Sequence, residues 1–271
     1  MLRPYPLMRR PMKQSVSFDA RPLSPQPVST GGGATDQCYL WLRKAILDGV
    51  RAPNDQLRFD SLRKESGFGV SSLREALVRL ESERFVVASH NRGFRVAPLT
   101  LDELRDINGA RVLVETRALE LAIEYGDVAW EGGIVSALHQ LKRQLTREPE
   151  KPGSPFEVEW EHRHYVFHRS LIAACRSEWL LRVYDLLYPQ YQRFRRYIWL
   201  YAGADIVEQD LGEILTQHDE IAKAVLDRDA KKSTDLLREH YNRNVALLIK
   251  ICDQVPNLLG EMGPISRDNA K

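Results

Sequence analysis

Seven histidines are spread over 271 residues, and four of them fall where a helix would bury them. Over 157–175 the positions three and four apart read Trp160, His164, Phe167, His168, Leu171 and Cys175. Over 207–227 they read Leu211, Leu215, His218, Ala222 and Val225; over 230–252 they read Leu236, Leu237, His240, Asn244, Leu247 and Ile251. An apolar stripe at that spacing is the core face of a helix, and a polar group on it needs a partner. His164 and His168, four apart, put both imidazoles on one face, as a shared metal ion requires. His218 and His240 would reach the same point from two other helices. Four nitrogens suit Zn, Ni, Cu or Fe better than Mg or Ca, so a divalent transition metal is expected, zinc first and nickel second. The competing reading gives each imidazole its own hydrogen bond, or a wet polar cavity, and no shared ion.

A second signal is a lone cation on a buried face. The stripe over 101–125 runs Leu104, Ile107, Arg111, Val114, Glu115, Ala118, Leu121, Ala122 and Tyr125. A buried guanidinium needs an anion, and its fork matches a carboxylate. Glu115, one turn on, is one candidate for that anion; the carboxylate of a bound organic acid is the other. Arg195, beside Phe194 on a helix over 178–200, is a further candidate for holding such an acid, and Asn244 lies on the His240 stripe.

These side chains require several helices packed together. Thr100 followed by Glu103 forms a capping box that starts the first helix. From there the chain reads as helix near 101–125, 129–146, 157–175, 178–200, 207–227 and 230–252, broken at Gly126 and at the run 151–155. No strand pattern follows Val96. The expected fold is mainly α, with an antiparallel all-helical bundle over 100–255 as the C-terminal domain.

The N-terminal region reads differently. Residues 1–34, rich in Pro, Arg, Ser and Gly, are expected to be a disordered tail, and 256–271 a frayed one. Between them, 35–99 shows helix over 35–48, a short helix over 59–65, a Gly-rich turn, helix over 70–82, then β-prone runs over 85–88 and 94–96 around a polar tip. That order is a winged helix-turn-helix, whose second helix enters the major groove of double-stranded DNA. Its leading residues, Ser71, Ser72 and Arg74, would face base edges, with Arg74 suited to a guanine or a phosphate. Arg63 and Lys64 would hold phosphates, and the wing tip offers His90, Arg92 and Gly93.

Charge divides along the same line. Residues 1–34 carry five basic and one acidic residue, 35–99 carry eleven and eight, and 100–271 carry twenty-three and twenty-eight. A basic front half and an acidic back half suit a phosphate-facing module attached to something else. No apolar run approaches the roughly 20 residues of a membrane helix, and no secretory signal opens the chain. Three widely spaced cysteines, Cys38, Cys175 and Cys252, read as reduced thiols. A cytoplasmic protein with no membrane partner is expected.

The stretch Leu62…Gly67…Val70-Ser71-Ser72-Leu73-Arg74-Glu75-Ala76-Leu77, followed by Phe85-Val86 and Arg92-Gly93-Phe94-Arg95-Val96, resembles the DNA-binding domain of GntR-family regulators. The family pattern opens the recognition helix with Ser or Thr, where this chain has Gly69 and Val70, and Asp60 stands where some members have Arg. Arg74 matches the family's DNA-contacting arginine, and His90 a wing position. Residues 101–250 resemble the FCD-type effector domain of the same family through Arg111…Glu115, Phe167-His168, Gln217-His218-Asp219-Glu220-Ile221 and Glu239-His240. The resemblance implies a divalent metal on three histidines, here His168, His218 and His240, plus an acidic residue whose place His164 takes. It also implies an organic acid as effector; the surroundings of Trp130 and Trp160 are similar to a branch answering to small dicarboxylates such as glutarate.

The expected function is a ligand-responsive DNA-binding regulator, a homodimeric repressor reading a two-fold operator. Two other readings compete. One is a constitutive DNA-binding protein with a structural metal. The other is a His-rich metalloenzyme, which lacks an obvious general base apart from Glu115 or Glu161 and leaves the helix-turn-helix unexplained.

Overall fold

The computed structural model describes residues 33–89, 93–145, 155–202, 204–255 and 258–259. The wing tip with His90 and Arg92, nearly all of both terminal tails, and the side chain of Leu211 lie outside the described residues.

The reader domain runs α1 (Ala34–Leu47), β1 (Gln56–Leu57), α2 (Phe59–Ser66), α3 (Val70–Ser82), β2 (Val86–Ser89) and β3 (Gly93–Val96). Leu42, Leu62, Leu73, Leu77, Leu80, Phe85 and Val96 form its core, which explains why three helices and a small sheet hold together. Helix α2 stops because Gly67 takes a left-handed conformation (φ 74°), which other residues adopt at a cost. The buried Ser66 hydroxyl bonds the Leu62 carbonyl and receives the Phe68 amide, fixing the turn into α3. The sheet order is β1-β3-β2, all antiparallel, with Val86 opposite Val96 and Leu57 opposite Phe94. Strand β1 adds to the two strands expected; at two residues it is too short to show alternation in the sequence.

The elements of the second domain among its described residues are all helices: α4 (Leu101–Tyr125), α5 (Val128–Leu145), α6 (Pro155–Leu171), α7 (Glu178–Ala202), α8 (Ala204–Leu226) and α9 (Ala230–Gln254). Thr100 Oγ1 accepts the Glu103 amide at 3.0 Å, so the predicted cap is present. Helix α4 packs between α7 and α9, α5 packs against α6 and α8, and α8 against α9. Two expectations need correcting. Helix α6 ends at Leu171, four residues early, and Cys175 is buried from the turn that follows, where Arg176 is left-handed (φ 55°). Tyr125, placed on the inward stripe of α4, is exposed at the helix end, with the Arg176 guanidinium 4.6 Å above its ring.

The bundle has two apolar clusters, one around Leu119, Ile134, Phe167, Tyr184 and Val225, the other around Leu104, Tyr191, Phe194, Ile198 and Leu248. On α4, α7 and α9 the change from one cluster to the other occurs at a buried polar layer: Arg111 and Glu115, Tyr188, and Tyr241. The reader docks on the bundle through α7. Gln190 donates to the Glu83 carbonyl at 2.6 Å, Arg193 reaches the Arg84 and Pro98 carbonyls, and Arg196 pairs with Asp48 at 2.7 Å. Among the described residues no helix is long and apolar enough to cross a membrane, and Cys38, Cys175 and Cys252 are free thiols.

Candidate metal centre and DNA-reading face

The polar layer brings His164, His168, His218 and His240 together, all four buried. One nitrogen from each lies within 4.8 Å of the others. His168 Nε2 stands 3.2 Å from His164 Nε2 and 3.1 Å from His218 Nε2. Two nitrogens each about 2.0–2.1 Å from one zinc ion stand about 3.3 Å apart at a tetrahedral angle, so this spacing fits a shared ion as well as a direct N–H···N hydrogen bond between rings. The cluster could hold a metal, and its all-nitrogen donor set favours a transition metal over calcium or magnesium.

Burial is the main reason these imidazoles stay neutral. It lowers His164, His168 and His240 well below the ordinary value of 6.5, and takes His218 to about 3. The Arg195 guanidinium adds to the effect on all four. A neutral imidazole keeps one lone pair to offer a cation.

The outer nitrogens differ from one another. Tyr241 donates its hydroxyl proton to Glu115 through a very short bond and lies 3.1 Å from His168 Nδ1. With that proton spent, Tyr241 accepts from His168, so Nδ1 carries hydrogen and Nε2 points a lone pair into the cluster. His240 Nδ1 lies 2.7 Å from the Gln217 carbonyl oxygen, and Asn244 Nδ2 is 3.1 Å from His240 Nε2. His218 Nδ1 is buried with no hydrogen-bond partner among the described residues. His164 Nδ1 faces the Tyr188 hydroxyl at 3.1 Å and Arg195 Nη1 at 3.3 Å, and its ring stacks on Trp160 at 4.8 Å.

The predicted effector residues separate into two groups. Arg195 and Asn244 touch the histidines directly. Arg111 sits one layer back and donates to Glu115 at 2.9 Å, its guanidinium 4.2 Å from the Tyr241 ring and 4.5 Å from that of Tyr191. Glu115, one of the two anions open to it in the sequence, is in contact with it. Burial opposes the charge on Arg111, but Glu115 and the tyrosines outweigh it and hold the guanidinium charged. Arg195 has its own carboxylate, Glu161, bonded through Nε at 3.0 Å and more closely through Nη2.

Tyr188, Tyr241 and Gln217 are site residues that sequence reasoning missed. A tyrosine is at home in an apolar core, so neither it nor Gln217 announces a polar role; adjacency to His240 and His218 was the available signal for Tyr241 and Gln217, and Tyr188 had none.

On the reader, Arg63, Lys64, Ser71 and Arg74 are exposed and Ser72 is half-buried. Arg63 and Lys64 end α2, and Arg74 leans over the Phe59 ring at 5.3 Å. Helix α3 begins at Gly69 with no side-chain cap and no acidic residue in its first turn. Its amide groups and positive dipole end are left to face phosphate. Gly93 is left-handed (φ 83°) where β3 begins, a conformation that favours glycine.

Two family models match the chain. The model for bacterial regulatory proteins of the gntR family matches residues 34–96, and the FCD domain model matches 106–243. The HTH-type transcriptional repressor GlaR of Escherichia coli is 36% identical over 203 residues, 74% of this chain and 90% of GlaR. The HTH-type transcriptional regulator BphR of Paraburkholderia xenovorans is 30% identical over 225 residues, 83% of this chain and 89% of BphR. Among solved structures, E. coli McbR/YncC superposes with a TM-score of 0.64 at 20% identity, over 81% of this chain and 98% of that one. At that identity the likeness speaks for the fold alone.

Proposed function

The chain belongs to the GntR family, its winged reader joined to an FCD domain, and from that premise we propose a homodimeric, operator-binding repressor whose DNA affinity is set by a small carboxylate recognised at a metal inside the bundle. The observation that carries the metal reading is the convergence of four buried, neutral imidazoles from three helices on one point. Zinc suits such a donor set best, with nickel second. A metal supplies positive charge that receives a carboxylate oxygen when bound.

The effector class follows from charge. The two buried carboxylates beside the cluster, Glu115 and Glu161, are already committed to Arg111 and Arg195. A divalent ion on neutral imidazoles therefore keeps both its charges, and a dicarboxylate such as glutarate would balance them. Arg195 and Asn244, in contact with the histidines, are the side chains placed to orient it. The GlaR relative is named a repressor, which supports that direction of control here. A two-fold operator is read by a dimer, so homodimerisation and a cytoplasmic location are part of the same reading.

Helix α7 links effector to reader: it carries Tyr188 and Arg195 at the histidines and Gln190, Arg193 and Arg196 at the reader. An effector that binds one arrangement of α7 better than another shifts operator affinity by that difference and no more. The test is metal analysis of the purified protein, followed by anisotropy titration of an inverted-repeat operator with and without glutarate. The expected result is about one metal per chain and a DNA affinity that falls as glutarate is added. Unchanged affinity across a panel of mono- and dicarboxylates would leave a constitutive DNA binder with a structural metal.

A further inference from the structure

We propose that only His168, His218 and His240 ligate the metal, and that His164 stands outside the ligand set as a hydrogen-bond donor to whatever occupies the open position. This rests on the metal-centred reading above. It turns on where the proton of the His164 ring sits.

A guanidinium has donors and no acceptor. Arg195 Nη1, 3.3 Å from His164 Nδ1, therefore requires a lone pair on that nitrogen. Tyr188, whose oxygen is 3.1 Å away, receives a bond from Arg195 Nη2 and has one proton, which His164 Nδ1 and, at 3.5 Å, the Glu161 backbone carbonyl can both accept. Arg195 is thus a donor toward Nδ1 wherever the Tyr188 proton points, and the shorter of the two paths for that proton leads to the same nitrogen. A neutral ring with a lone pair on Nδ1 carries its hydrogen on Nε2, the nitrogen aimed at His168. An N–H cannot ligate. To ligate through Nε2, His164 would have to place a proton on Nδ1 against the Arg195 cation.

Two of the neighbouring histidines are built the other way, while His218 Nδ1 has no hydrogen-bond partner among the described residues. Metal-ligating imidazoles present their second N–H to an acceptor, and His168 has Tyr241, relayed to Glu115, while His240 has the Gln217 carbonyl. The Arg195 guanidinium is itself held in place by Glu161 and lies 5.0 Å from the Trp160 ring, which also stacks on His164. The donor therefore cannot easily swing away, and the tautomer is locked by buried structure. Three nitrogens leave one position open on the ion, as in three-ligand zinc sites. His164 Nε2–H borders that position and is placed to donate to a carboxylate oxygen seated there.

Two measurements decide this. In two-bond 1H–15N correlation spectra of the zinc-loaded wild-type protein, His168, His218 and His240 should carry hydrogen on Nδ1, and His164 on Nε2. In zinc competition titrations, His168→Ala should lose at least about a hundredfold in affinity, more than outer partners cost, whereas His164→Ala should stay within about tenfold. The same His164→Ala protein, still zinc-loaded, should bind glutarate about tenfold more weakly or worse, the order of one lost charge-assisted hydrogen bond. A wild-type spectrum with His164 protonated on Nδ1 would overturn the assignment without touching the metal reading, and needs no variant to fold. Failure of the wild-type protein to bind zinc or nickel at all would overturn both.

Discussion

Tyr188 and Gln190 flank Pro189 on α7 and reach two different places: the Tyr188 hydroxyl lies 3.1 Å from His164 Nδ1, while Gln190 donates to the Glu83 carbonyl of the reader. Proline has no N–H, so the helix lacks one rung between the two contacts and bends there most readily. Pro189→Ala restores the rung. The expected outcome is a protein that binds operator and glutarate as before but couples them less. An ordinary coupling of about 1–3 kcal/mol should fall by about half or more in paired anisotropy titrations, and undiminished coupling would argue against α7 as the link.

The Arg111–Glu115 pair makes a stability prediction. Both side chains are buried, so Glu115→Gln leaves a guanidinium without its anion, at a cost of about 3–5 kcal/mol in urea denaturation. Tyr241→Phe removes one hydrogen bond to that carboxylate and should cost about 1–3 kcal/mol. It also strips the acceptor from His168 Nδ1, so zinc affinity should fall about 10–100-fold. Were Arg111 instead reserved for an effector, Glu115→Gln would be nearly silent.

Acid should unfold the metal-free protein through the histidines. Burial keeps them neutral in the folded state, with His218 at about 3, while in the unfolded chain they titrate near 6.5. Below that pH the unfolded state binds more protons, so stability rises with pH and is lost on acidification. The contribution is complete above about pH 6.5. Each histidine that stays neutral in the fold removes about 1.4 kcal/mol per pH unit as the pH falls, and for His218 the loss continues to about pH 3. Denaturant midpoints measured from about pH 7.5 to 4.5 test this, and a flat profile would contradict neutral buried rings. Zinc should be released over the same window, because protons compete for the ligand nitrogens.

On the reader, Arg74→Ala and Lys64→Ala should fail in different ways. If Arg74, in the first turns of α3, reads a base edge rather than a phosphate, its loss should cost about 1–3 kcal/mol and relax specificity at one position. Lys64, on the exposed last turn of α2, is placed for phosphate. Its loss should weaken all sequences alike and lower the salt-dependence slope by about 1. Operator titrations at several salt concentrations separate the two.

Much of this was legible in the amino-acid order. Helix periodicity, the Thr100 cap and Gly67 located the elements, because these are local effects that neighbouring residues decide. The four histidines stood out because each broke an apolar stripe. Helix α6 was read too long because Cys175 continues the stripe in spacing after the backbone has left the helix, and β1 was missed because a pair of residues carries no pattern.

Local chemistry thus settled most of the buried side chains and their helix faces, Tyr125 and Cys175 excepted, since hydrophobic periodicity is written residue by residue. The partner of each buried polar group was settled by packing alone. Glu115 meets Arg111, Tyr241 stands behind His168, and Arg195 stands behind His164, because packing of the helices brings them together. Those partners fix where each ring carries its proton, and a hydrogen bond between residues 31 or 73 positions apart leaves no periodic trace in the chain.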